Sequence, residues 1–263
     1  MDVSVENVTQ AWPGRGDEPI VALENFSHRF ASRRFSCLLG PSGCGKSTLV
    51  QVIGGLEVAT EGNVRIIEPT RPDVVRPLGA DSVMVWQTLN LFPWRNVIDN
   101  VAFGLEMQGV SKAQRYERAR LLITSVGLAG FEQHLPGQLS GGMRQRVALA
   151  RALIMERPIM LMDEPFGALD AQTKIVMQEE LLRVFDQTQK TIIFVTHAIE
   201  EAILLSDHVV VLTRRPGRVK AEIRVDLPRP RSESDAGFLA LKQRIRDRVA
   251  PDRSLGHSDR RDA

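Results

Sequence analysis

The nine residues Gly40-Pro41-Ser42-Gly43-Cys44-Gly45-Lys46-Ser47-Thr48 constrain this chain more than any others. They satisfy G-x-x-x-x-G-K-[ST], with the apolar run Phe35–Leu39 before them and Leu49-Val50-Gln51-Val52-Ile53 after, so the motif stands in a strand–loop–helix context. Glycines let the backbone wrap an anion with its N–H groups turned inward, and the helix N-terminus adds a partial positive charge. The spacing assigns Lys46 to the β- and γ-phosphates of a nucleotide and Ser47 to Mg²⁺, while Gly40, Pro41, Ser42, Gly43, Cys44, Gly45 and Thr48 form the cradle.

Eight β-like stretches surround this loop: Val3–Val8, Ile20–Phe26, Phe35–Leu39, Val64–Glu68, Ser82–Trp86, Ile159–Met162, Thr191–Thr196 and His208–Leu212. From Lys46 onward they alternate with helical stretches, which implies an α/β fold with a largely parallel sheet. The strand signal vanishes between Trp86 and Arg157, where Val97–Gln108, Lys112–Val126 and Gly141–Met155 follow helical periodicity. An all-helical subdomain, about residues 88–157, is therefore expected inside the sheet domain. After Pro228 the composition turns to Pro, Arg, Ser and Asp, with Phe238, Leu241, Ile245 and Val249 at the spacing of a short amphipathic helix and a polar, frayed end at Asp252–Ala263.

A second acidic element closes another buried strand. Ile159-Met160-Leu161-Met162 precede Asp163 and Glu164, delivering two carboxylates to the edge where open α/β sheets place their ligands. Asp163 is assigned to the Mg²⁺ shell and Glu164 to polarising an attacking water.

Charge and cysteine usage narrow the partners. The formal charge of +2 comes from 34 Lys+Arg and 32 Asp+Glu; residues 229–263 hold nine and six of these, so the tail is +3 and residues 1–228 are −1. Basicity confined to a tail, with aromatics at 5%, argues against a nucleic-acid partner. Cys37 and Cys44 lack metal-ligand spacing and read as packing residues in a reducing compartment. No apolar run approaches the roughly 20 residues of a membrane-spanning helix, and the N-terminus lacks a signal-peptide layout.

Leu139-Ser140-Gly141-Gly142-Met143-Arg144-Gln145-Arg146 needs a separate explanation, because it reads as a second anion-binding helix start with Ser140 as N-cap. With it the chain resembles the ATP-binding cassette (ABC) family. In the family's order stand Trp12, the phosphate loop, Gln87, the signature at Ser140, Asp163-Glu164, Gly167-Ala168-Leu169-Asp170 and His197. The resemblance covers nearly all of residues 1–228. It implies a P-loop NTPase (RecA-like) mixed sheet core with an inserted helical subdomain and an N-terminal antiparallel β subdomain. It further implies a head-to-tail ATP-sandwich dimer, in which Ser140, Gly141 and Gly142 act on the partner's nucleotide. Trp12 is implied to stack on adenine, Gln87 to touch Mg²⁺ or the γ-phosphate, Asp170 to belong to the nucleotide-binding residues and His197 to act as the switch histidine. His28, His134, His208 and His257 match no motif.

Leu91-Phe92-Pro93-Trp94-Arg95-Asn96-Val97, Asp163–Thr173 and Arg215-Pro216-Gly217-Arg218 are similar to importers for nitrate, taurine and aliphatic sulfonates, a subgroup that also includes ATPase subunits for other small solutes. That resemblance implies a separate membrane permease, an extracytoplasmic solute-binding protein and a peripheral position on the cytoplasmic face of the membrane. Trp94 either docks the permease or packs inside the insert. Arg33-Arg34 departs from the family's usual Gly-Glu turn without removing a catalytic group. Two other functions stand beside transport: a regulatory or scaffold protein that clamps ATP without hydrolysing it, and a cassette ATPase acting on DNA or ribosomes. The second calls for a long coiled coil or paired cassettes, which the sequence lacks.

Overall fold

The computed structural model describes residues 1–14, 18–167 and 169–250, so the Asp252–Ala263 expectation lies outside the described residues, as does Ala168. Two sheets sandwich one helix. The first is antiparallel, in the order β2-β1-β4-β5, from β1 (Asp2–Trp12), β2 (Ile20–Phe30), β4 (Glu61–Glu68) and β5 (Arg71–Arg76). The second takes β3 (Phe35–Leu39), β6 (Ser82–Val85), β7 (Ile159–Asp163), β8 (Thr191–Thr196), β9 (His208–Leu212) and β10 (Val219–Arg224) in the order β10-β9-β3-β8-β7-β6. Its pairs are parallel except β10 on β9.

Side-chain alternation divides the second sheet between two cores. Leu38, Leu161, Val195 and Val210 face the antiparallel sheet and meet Val5, Leu23, Phe26 and Phe30 across the buried side of α1 (Lys46–Ile53). Cys37, Met160, Phe194 and Val209 point the other way, into a core shared with the remaining helices. Both sheet faces are covered, which is why the strands read as continuous apolar runs instead of alternating ones. Cys37 and Cys44 are both buried, packing as expected.

Between β6 and β7 the chain forms α2 (Val97–Met107), α3 (Lys112–Ser125), a 3₁₀ turn at Pro136–Gln138 and α4 (Gly141–Leu153). Asn100 of α2, fully buried, organises the loop before it: its amide accepts from Phe92 N at 2.8 Å and donates to Arg95 O at 2.8 Å and Asn96 O at 3.0 Å. That loop leaves Trp94 72% exposed, so it does not pack inside the insert. Beyond β7 come α5 (Ala171–Thr188), α6 (Ile199–Leu205) and, after β10, α7 (Ala236–Val249). The last helix has Phe238 and Ile245 buried in the helical-side core.

Two strands escaped the sequence reading. Arg71–Arg76 carries a proline and charges, and Val219–Arg224 is an edge strand with Lys and Glu. Both are sheet margins, where pairing with a neighbour outweighs intrinsic strand preference.

Candidate functional site

The site forms where parallel strands end together. Register pairs Leu39 with Thr196, Asp163 with Val195 and Val85 with Met162, so the phosphate loop, the acid pair, His197 and Gln87 leave the sheet along one edge. No local signal fixes that meeting; the strand order 3-8-7-6 does.

The loop is braced before any ligand arrives. Lys46 is only 4% exposed, and its Nζ donates to Gly40 O at 2.8 Å and Pro41 O at 2.9 Å. Gly45 sits at φ +96°, and a Cβ there would meet Ala22 O at 2.7 Å. Gly217 closes the other side: a Cβ on it would lie 2.0 Å from Cys44 O, while its own N–H bonds Ala22 O at 2.8 Å. The phosphate loop is thus wedged between β2 and the turn after β9, with Gly45 of the loop and Gly217 of the turn bringing no Cβ to the contacts.

Asp163 and Ser47 meet directly, the hydroxyl donating to Asp163 Oδ1 at 2.9 Å. Burial pushes the Asp163 carboxyl above its ordinary range, the Ser47 bond opposes this, the Glu164 charge adds to it and Lys46 opposes it. An aspartate whose folded pKa is raised ionises earlier in the unfolded chain, so at neutral pH its charge weakens the fold. Asp163→Asn is therefore expected to raise the unfolding temperature of the protein without added nucleotide at pH 7. The gain should disappear as pH falls through the ordinary carboxylate range. Thermal melts at pH 7 and pH 3.5 check it.

Glu164 follows at φ 44°, in the left-handed region, where its N–H bonds Val195 O at 3.0 Å. That turn brings its Oε1 to 3.3 Å from His197 Nδ1. His197 is 60% exposed, and the residues beneath it are locked. Thr196 Oγ1 accepts from Ala198 N at 3.0 Å and donates to Glu201, which is buried and ion-paired to Lys174 of α5. Sequence reasoning missed this Thr196–Glu201–Lys174 chain because its members lie on three separate elements.

A pocket of about 450 Å³ opens over the loop. Trp12, at the end of β1, and Ile20, its partner on β2, line it together with Lys46, Ser47, Gln87 and Glu164. Arg215 also lines it, with Nε donating to Val21 O at 3.1 Å. It had been singled out only as part of a resemblance, and nothing in the sequence near it signals a nucleotide contact.

Ser140, Gly141, Gly142 and Asp170 do not line this pocket. They lie together elsewhere: Ser140 caps α4 by accepting from Met143 N at 3.3 Å, and Asp170 caps α5 by accepting from Thr173 N at 3.0 Å. That bond holds the Asp170 carboxyl below its ordinary range. A Cβ on Gly142 would be 3.6 Å from Leu169, so the two helix starts adjoin. Within one chain the two groups of candidate residues do not line the same cavity.

A buried lysine in a glycine-rich loop, with Ser47 at the start of the following helix hydrogen-bonded to Asp163 at the end of a buried parallel strand, defines a P-loop nucleotide-binding protein. Residues 23–167 match the model of the ABC transporter family, and the chain belongs to that family. It is 41% identical over 228 residues to the nitrate import ATP-binding protein NrtD of Synechocystis, covering 87% of this chain and 84% of the relative. It is 48% identical over 210 residues to the taurine import ATP-binding protein TauB of Burkholderia thailandensis, covering 80% and 79%. Among solved structures, a dimeric bacterial ABC transporter cassette superposes with a TM-score of 0.76 at 33% identity, covering 86% of this chain and all of that one. Among the described residues no helix is long and apolar enough to cross a membrane.

Proposed function

We propose that this chain is the ATP-hydrolysing subunit of an ABC importer, powering uptake of a small oxyanion such as nitrate, taurine or an aliphatic sulfonate through separate permease subunits. The observation that carries the reading is Glu164, an acid poised at the strand end beside a complete phosphate cradle and within reach of His197.

Adenine stacks on Trp12, and the phosphates lie along the loop from Ser42 to Thr48. Lys46, already buried and pre-aimed, exchanges its carbonyl partners for the β- and γ-oxygens. The donor set beside it, a serine hydroxyl, a buried carboxylate and the Gln87 amide, is all oxygen and too small for an all-protein cage, which fits Mg²⁺ completed by phosphates. Ser47, Asp163 and Gln87 would hold the ion, which supplies charge neutralisation at the transferred phosphoryl group. Glu164 orients and polarises the attacking water, and His197 hydrogen-bonds the γ-phosphate side of the site. A second copy presents Ser140, Gly141 and Gly142 at its α4 start to the open face of the pocket, each copy completing the other's site. Loss of the γ-phosphate removes the charge that both halves share, so the pair reopens.

Transmission to the permease runs through the insert. Arg151 of α4 donates to Leu89 O at 2.8 Å and Asn90 O at 2.7 Å, tying the segment after Gln87 to the helix that Ser140 begins. Trp94 stands exposed on the same subdomain, beside Phe92 at 5.7 Å, and docks a permease segment. The chain then works at the cytoplasmic face of the membrane, with an extracytoplasmic binding protein selecting the solute.

The test is reconstitution with a candidate permease subunit. Trp94→Ala should leave the ATPase rate of the isolated chain within twofold and weaken co-purification with the permease at least tenfold, the scale of one buried aromatic anchor. ATPase activity absent from the wild-type chain under conditions where ATP binds would favour the clamping scaffold instead.

A further inference from the structure

The function above gives no task to the segment after Pro228, yet that segment is built into the fold. Arg231 directs its guanidinium at the C-terminal end of α6: Nη1 donates to the carbonyls of Ile203, Leu204 (3.3 Å) and Ser206 (2.8 Å), and Nε to Leu227 O at 2.9 Å. Arg229 takes the carbonyl between them, Leu205 O, and pairs with Asp207 at 3.0 Å. Four successive carbonyls that a helix end leaves without intrahelical partners are thus met by two cations placed where the helix dipole favours them. Lys242 of α7 grips the other end, 2.7 Å from Glu200 in the first turn of α6.

What α6 carries at its start gives these contacts meaning. His197 is the second residue before Ile199, joined to the helix through Ala198, its N-cap. Seven residues make too short a helix to hold its own orientation, since isolated helices below about 12 residues are marginal in water. The direction of the His197 turn therefore depends on what holds α6 from outside. Inside the domain that is the burial of Ala202, Ile203 and Leu205 in the core together with the Thr196–Glu201–Lys174 chain; from beyond the cassette it is the tail.

We propose that Arg231, assisted by Arg229, is a positioning residue for ATP hydrolysis: it fixes α6 by its C-terminal carbonyls and so sets the His197 side chain opposite Glu164. The tail is then a brace whose undocking lowers turnover without touching the nucleotide pocket. This rests on the reading of His197 as the γ-phosphate contact.

The experiment compares wild type, Arg231→Ala, His197→Ala and the double variant as full chains, measuring kcat and KM for ATP and the affinity for a non-hydrolysable ATP analogue. Arg231→Ala should lower kcat about tenfold with KM and analogue affinity within twofold, and should add no further loss in the His197→Ala background, because both act through one group. Arg231→Lys, with fewer donors, should recover part of the rate. A kcat within twofold of wild type, or losses that multiply in the double variant, would overturn the brace. If His197→Ala itself hydrolyses ATP normally, the reading of His197 falls instead; if His197→Ala is crippled and Arg231→Ala is not, the brace alone fails. Should Arg231→Ala not fold, Lys242→Ala replaces it in the same cycle, with a smaller loss of about threefold confined to kcat and the same non-additivity required.

Discussion

Glu164→Gln is expected to cut ATP hydrolysis by about 10²–10³-fold while leaving ATP affinity within a few-fold, the range that a positioned general base commonly supplies. The amide keeps the shape of the side chain but loses the charge that polarises water. The backbone is no obstacle, because the φ of 44° and the Val195 hydrogen bond belong to the main chain and survive the substitution. With hydrolysis blocked, the γ-phosphate stays between the two copies, so the variant should elute as a dimer in ATP and as a monomer after ATP is removed. Single-turnover phosphate release and size-exclusion chromatography measure the two effects. A rate within tenfold of wild type would remove Glu164 from the role of base, and His197, 3.3 Å away, would be the next group to test.

Lys46→Ala should act one step earlier, at binding. Lys46 Nζ is buried and donates to two loop carbonyls, so phosphate binding exchanges those bonds for charge-assisted ones. The alanine variant leaves Gly40 O and Pro41 O without that donor and the phosphates without their cation. ATP affinity is expected to fall by about 10²-fold, roughly 3 kcal/mol, the upper scale of a hydrogen bond to a charged group. Calorimetric titration with ATP and Mg²⁺ checks this, and the absence of a comparable loss in ADP-free thermal stability would separate binding from folding. The two variants divide the cycle: one should bind and not turn over, the other should not bind.

The legibility of these groups in the sequence differs for a physical reason. Phosphate recognition by Gly40–Thr48 is a local device, in which neighbouring N–H groups and one helix start make the site, so its residues must be contiguous. Asp163 and Glu164 were readable because a buried parallel strand announces itself as an apolar run and ends at the ligand-binding edge. Trp94 stayed ambiguous, since its exposure depends on Asn100 tying down the loop in front of it. Arg215 was unreadable as a pocket residue, because its place there depends on Gly217 fitting against Cys44 O. In sequence the tail reads as a short amphipathic helix in a basic, polar segment; in the structure Phe238 and Ile245 are buried and Arg231 donates to carbonyls of α6. A charge run in sequence carries no record of the unpaired carbonyls that await it.

By itself the sequence determined the α/β class, the phosphate cradle, the acid pair and the order of motifs that marks the ABC family, because each is carried by a contiguous segment or by side-chain periodicity. The tertiary structure alone decided that Glu164 faces His197, that Ser140 and Asp170 stand together away from the nucleotide pocket, and that the tail holds α6. Those contacts join residues far apart along the chain through strand order and helix packing, and such pairings are set by which surfaces bury one another, which no local stretch of residues encodes.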